Sequence, residues 1–164
     1  RTKTKDGGRL DRYRLRWTEV TYEPGELKVV VYDEQGTKAG EQIVRTAGKP
    51  AKLQLQVWTQ HDAPRLNADG EDLAFITVSL TDAKGTLIPD ANDQLTFEVS
   101  DVGSFEAVCN GDATSLESFT QPTMRLFSVQ LVVVVRSGTK AGALTLRATD
   151  KNCKITSSVR LTID

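Results

Sequence analysis

Apolar and polar residues alternate along most of this chain. Leu27, Val29 and Val31 alternate with Lys28, Val30 and Tyr32, and Leu53, Leu55 and Val57 with Gln54, Gln56 and Trp58. The same rhythm returns at Ile76, Val78 and Leu80, at Leu95, Phe97 and Val99, at Leu144, Leu146 and Ala148, and at Val159, Leu161 and Ile163. A period of two sends successive side chains to opposite faces. Each segment therefore predicts an antiparallel strand with one face in a core and one in water. Residues 129–135 are apolar on both faces and predict a central strand covered on two sides. No segment carries the 3.6-residue period of an amphipathic helix.

Turn signals punctuate these strands. They include Glu23-Pro24-Gly25, Glu34-Gln35-Gly36, Ala68-Asp69-Gly70, Ala83-Lys84-Gly85, Asn110-Gly111-Asp112 and Lys140-Ala141-Gly142. Gly and Asn supply the positive φ that tight reversals need. Many short strands at this spacing predict an all-β fold, an immunoglobulin-like β-sandwich. Gly48-Lys49-Pro50 marks the boundary between two parts. Residues 51–164 offer about seven strands, enough for a complete sandwich. Residues 1–50 offer three or four, which predicts the C-terminal part of a truncated β-sandwich. Such a part exposes an unpaired edge and invites self-association.

Composition narrows the class. Of 164 residues, 38% are hydrophobic and 26% charged, a globular balance rather than a disordered one. The longest unbroken apolar run is residues 131–135, while a membrane-spanning helix needs about 20 residues, so no spanning helix is expected. Net charge is −1, which argues against a dedicated nucleic-acid partner. Residues 1–17 nevertheless carry a net +5. Arg12, Arg14 and Arg16 alternate there with Tyr13, Leu15 and Trp17, which reads as one strand with a solvated basic face. The first residue is Arg1, not Met, so a piece of a longer protein is expected, with targeting information outside it.

Candidate chemistry is sparse. Cys109 and Cys153 form no Cys-x-x-Cys pair, and one histidine, His61, cannot complete a zinc site of the usual kind. A single disulfide between them is one reading and free thiols are the default, because spacing alone does not fix the required geometry. Asp69, Glu71 and Asp72 cluster at one turn, and Asp90, Asn92 and Asp93 at another. Neither follows the Asp-x-Asp-x-Asp-Gly calcium loop, so both read as turn chemistry and no metal is expected. His61-Asp62 is a lone histidine–acid neighbour pair without a nucleophile elbow, and reads as linker polarity. No Walker loop or dinucleotide fingerprint is present, so no cofactor is expected. Trp17 and Trp58 each sit near a strand end, where inter-domain packing is expected ahead of a sugar-stacking platform.

One stretch is familiar as a whole. Residues 17–32, from Trp17 through Tyr22-Glu23-Pro24-Gly25 to Val31-Tyr32, resemble a segment of the β-sandwich that follows the catalytic barrel in bacterial β-galactosidase-like members of glycoside hydrolase family 2. Residues 44–50 resemble the strand that leaves that domain. Residues 66–78, with Asp69-Gly70, resemble the opening of the family's last immunoglobulin-like domain. Asn110-Gly111-Asp112, Glu117-Ser118-Phe119 and Arg125-Leu126-Phe127-Ser128 follow in the same order.

The resemblance implies a parent enzyme that hydrolyses a terminal β-galactoside or a related β-glycoside with retention. It also implies a bacterial origin and an exported, periplasmic location. The family's acid/base glutamate follows an asparagine, and this chain has no Asn-Glu dipeptide and no βα alternation. No catalytic residue carries over to any position here. The chain is then a non-catalytic accessory region that braces the catalytic barrel of the same parent or mediates inter-domain or subunit contacts, with carbohydrate a further candidate partner. Asp69, Asn110, Gly111 and Asp112 are expected to shape turns, and Arg125 to pair with Asp112 or Glu117. The alternatives are an adhesin-type immunoglobulin-like repeat and a carbohydrate-binding module. Against the adhesin, residues 1–47 do not repeat the pattern of 66–164.

Overall fold

A computed structural model of the protein describes residues 17, 19–59 and 64–164. The basic strand proposed around Arg12 to Arg16 and the His61-Asp62 pair lie outside the described residues. Eleven strands are described: β1 (Glu26–Tyr32), β2 (Lys38–Arg45), β3 (Lys52–Trp58), β4 (Arg65–Leu66), β5 (Leu73–Thr81), β6 (Gln94–Asp101), β7 (Gly103–Cys109), β8 (Thr123–Arg125), β9 (Gln130–Ser137), β10 (Gly142–Asp150) and β11 (Ile155–Ile163). The chain divides into two compact units, residues 1–46 and 47–164.

In the first unit β1 and β2 form an antiparallel hairpin. Asp33 closes its turn, its Oδ1 accepting the Gln35 and Thr37 amides at 2.9 and 2.8 Å. Leu27, Val29 and Val31 keep their alternation yet stay exposed, because two strands cannot cover a face. β2 ends at Arg45, so residues 46–50 are not the continuous exit strand that the sequence suggests.

The second unit is a two-sheet sandwich. One sheet has the order β4-β11-β10-β6-β8 and the other β3-β5-β9-β7. All pairs are antiparallel except β4 with β11, which run parallel. Register follows the hydrophobic pattern. Val57, Ile76, Val133 and Val108 lie in one row across β3, β5, β9 and β7, all facing inward. Leu144, Leu146 and Ala148 of β10 face them from the other sheet, with Leu95 and Phe97 of β6 and Leu161 and Ile163 of β11. Slipping any strand by one residue would turn its apolar set into water.

The sequence predicts about seven strands for this unit, and the structure has nine. No alternating segment marks β7 or the short β4 and β8. β9 is central, as its double apolar face suggests, lying between β5 and β7. Its second face is not covered on both sides, since Val132 and Val134 remain half-buried on the outside of the sheet.

Candidate functional site

Asp69 sits in the turn before β5 and works as a backbone anchor. Its Oδ1 accepts the Glu71 and Asp72 amides, both at 2.8 Å, and the Ser137 hydroxyl at 3.2 Å. Those amide bonds hold its carboxyl below the usual aspartate range. Asp72 continues the anchor, its Oδ2 accepting the Asn67 amide at 2.9 Å. Asp82 does the same work at the far end of β5. Its Oδ1 accepts the Lys84 and Thr86 amides at 2.8 Å, and its Oδ2 the Gly48 amide at 2.9 Å. These bonds, Gly48 first, depress its pKa as well. Sequence reasoning assigned Asp82 no such role, although an Asp three residues before a turn glycine is the available signal.

The residues singled out around Asn110 are brought together at one end of the sandwich. The Asp112 amide donates to Asn110 Oδ1 at 3.0 Å, and Gly111 between them has φ +77°. Asp112 Oδ1 accepts the Thr114 hydroxyl at 2.7 Å and its amide at 2.9 Å, which lowers the Asp112 pKa. The Asn110 side-chain amide donates to the Arg125 carbonyl at 2.9 Å. Glu117 accepts the Gln94 side-chain amide at 2.9 Å and the Arg125 backbone amide at 3.3 Å. The expected ion pair is not formed. The Arg125 guanidinium donates instead to the Asn92 carbonyl at 3.1 Å, and Arg125 meets Glu117 only through its backbone. The reason is geometric: pairing of β8 with β6 sets Arg125 opposite Gln94, next to Asn92 rather than Asp112.

Beside this network lies an open cleft of about 610 Å³, lined by Asp93, Arg125, Lys151 and Asn152 among others. Asp93 Oδ1 accepts the Asn152 side-chain amide at 2.8 Å. No aromatic ring lines the cleft, so it offers no stacking platform for a sugar.

The aromatic residues lie elsewhere. Trp58, the last residue of β3, is 59% exposed, and its register partner on β5, Phe75, is 47% exposed. Phe75 is in turn paired with Val134 of β9. Together they form an apolar row on the outer face of the sheet. Arg136 and Glu106 border it with two hydrogen bonds at 2.8 and 2.9 Å. Trp17, in the first unit, is also exposed. Cys109 and Cys153 are free thiols, the former exposed on β7 and the latter half-buried in the turn after β10.

The family model for glycoside hydrolase family 2 C-terminal domain 5 matches residues 57–159, and that for a domain of unknown function, DUF4982, matches residues 1–40. The chain belongs to the C-terminal domains of glycoside hydrolase family 2. It is 37% identical over 145 residues to beta-galactosidase BoGH2A of Bacteroides ovatus, covering 88% of this chain and 16% of that protein. A family 2 glycosyl hydrolase structure from Bacteroides cellulosilyticus superposes with a TM-score of 0.80 at 31% identity, over 88% of this chain and 18% of that one. A beta-glucuronidase structure from the same family gives 0.77 at 25% identity, over 90% of this chain and 15% of that one. The chain thus spans about one sixth of the length of these relatives.

Proposed function

We propose that this chain is a non-catalytic accessory region of a retaining β-galactosidase-like enzyme, and that it braces the rest of that enzyme. The observation that carries this reading is the outer row of Trp58, Phe75 and Val134. Large exposed apolar rings on one sheet face cost free energy in water and favour a packed neighbour. The occupant is the remainder of the parent, because relatives are roughly six times as long as the stretch matched here. The arrangement of the chain's own carboxylates supports the non-catalytic part. Asp69, Asp82 and Asp112 are engaged with backbone amides rather than aimed together into a pocket. An exported, periplasmic parent belongs to the same proposal and rests on the family resemblance of the sequence.

The test uses the full-length parent and a chromogenic β-galactoside. The isolated chain is expected to release no chromophore. Trp58→Ser with Phe75→Ser in the parent is expected to lower its melting temperature while leaving kcat per folded molecule near wild type. Hydrolysis by the isolated chain would end the accessory reading. An unchanged melting curve of the double variant would end the bracing role.

A further inference from the structure

The alternation of β10 does not stop at Ala148. Leu144, Leu146, Ala148 and Asp150 all face the core, so an acid occupies the last inward position of the strand. Asp150 is 0% exposed. Its Oδ1 is well served, accepting the Asn152 amide at 2.8 Å and the Cys153 amide at 3.0 Å. Its Oδ2 is buried and, among the described residues, has no hydrogen-bond partner. A buried carboxylate oxygen without a donor is costly, and native folds rarely keep one without a reason.

Two further side chains able to hold a metal lie close to Asp150. One ligand atom each from Asp93, Asp150 and Cys153 lie within 4.8 Å of one another. Pairing of β6 with β10 sets Leu95 opposite Asp150, which delivers Asp93 from the preceding loop. The turn over residues 151–154 folds Cys153 back onto the same spot, with Lys154 at φ +56°. Burial first, then the Asp150 carboxylate, through its charge and a hydrogen bond with the thiol, and last the Asp93 charge push the Cys153 thiol up. None of the ion pairs among the described residues involves Asp93 or Asp150. The cluster therefore brings two carboxylates and a thiol together around a buried carboxylate, a grouping whose charge a cation would neutralise.

We propose that Asp93, Asp150 and Cys153 form a binding site for one thiophilic divalent cation of the zinc class. A thiolate with two carboxylates suits zinc better than calcium, whose ligands are all oxygens. Zinc bonds of about 2.0–2.3 Å require the three donors to draw closer by roughly 1 Å, a movement within reach of a four-residue turn. On binding, the thiol releases its proton to water as the metal–sulfur bond forms. The ligands are already oriented: Asn152 holds Asp93, and two backbone amides hold Asp150. The adjoining cleft reaches Asp93, one of the three ligands.

The chain, stripped with a chelator, is titrated with Co²⁺ and then with Zn²⁺. The expected result is one thiolate-to-cobalt charge-transfer band at one equivalent, abolished by Zn²⁺, with Zn²⁺ raising the melting temperature. Cys153→Ser should lose the band, and Cys109→Ser should keep it. Asp93→Asn and Asp150→Asn should each weaken Zn²⁺ at least about tenfold. Circular dichroism establishes that each variant is folded. Should Asp150→Asn fail to fold, the Cys153 and Asp93 variants decide. No band, a band that survives Cys153→Ser, or stabilisation by Ca²⁺ with Co²⁺ silent would each overturn the proposal.

Discussion

Gly138 follows β9 at a place where two backbone segments nearly touch. Its amide donates to the Val102 carbonyl at 2.8 Å, and its own carbonyl accepts the Gly70 amide at 3.2 Å. A Cβ added to Gly138 would overlap the Val102 carbonyl oxygen and lie 3.1 Å from its carbonyl carbon. These are main-chain atoms, so no rotamer change can relieve the clash. The segment must move, and moving it loosens the bond to Val102 and the tie to the Asp69 turn. Overpacking costs about 1–3 kcal/mol, and a lost hydrogen bond about 1 kcal/mol. Gly138→Ala should therefore destabilise by about 3 kcal/mol, a fall of roughly 10 °C in melting temperature for a unit of this size.

Gly111→Ala is the internal control. Gly111 has φ +77° with open space around it, so only the left-handed backbone cost of about 1–2 kcal/mol applies. Urea unfolding followed by far-UV circular dichroism measures both, with equal m-values showing that the midpoints report stability. If Gly138→Ala unfolds no earlier than Gly111→Ala, the close approach at Val102 is not what holds this end together.

Two other outcomes are expected. Asp82 has a depressed pKa, so the folded state binds fewer protons than the unfolded one; its contribution is complete above the ordinary value of 3.8 and is lost as pH falls through the lower folded value. Asp82→Asn, which lacks the Oδ2 acceptor for Gly48, should therefore melt below wild type at neutral pH and converge with it as pH falls below the ordinary carboxylate range; a gap that stays constant with pH would refute the charge argument. At the other end of the sandwich, Asn110→Ala should cost about 1 kcal/mol and Arg125→Ala less, because Asn110 holds the Arg125 backbone whereas the guanidinium makes one exposed bond. Chemical denaturation gives the order, and the reverse order would restore Arg125 as the clamp.

Strands with strict alternation were legible, because one residue pattern decided both their direction and their inner face. β7 was not. Register shifts between Phe105 and Ala107, so Glu106 breaks the period of two in the middle of the strand. β4 and β8 are too short to carry any period. The turn roles of Asp69, Asn110 and Asp112 could be read locally, since each carboxylate or amide bonds within a few residues of itself. The partner of Arg125 could not, because Asn92 reaches it only through the pairing of β6 with β8. The cluster at Asp150 was hidden for the same reason. One signal was nonetheless present: continuing the alternation of β10 by one step places an acid on the core face.

The parallel pairing of β4 with β11 has a consequence for synthesis. Arg65 and Leu66 find their strand partners in Thr162 and Ile163, and Ala68 and Asp164 seal the join with hydrogen bonds at 2.8 and 3.0 Å. On the ribosome, residues near the start of this unit must wait until its last strand has emerged. Through that interval the edge of β10 lies open and the inward leucines have no lid, a state prone to pairing with a neighbouring nascent chain. Residues 155–164 thus act as a latch in time as well as in space, and this unit is committed to its fold only once they have emerged.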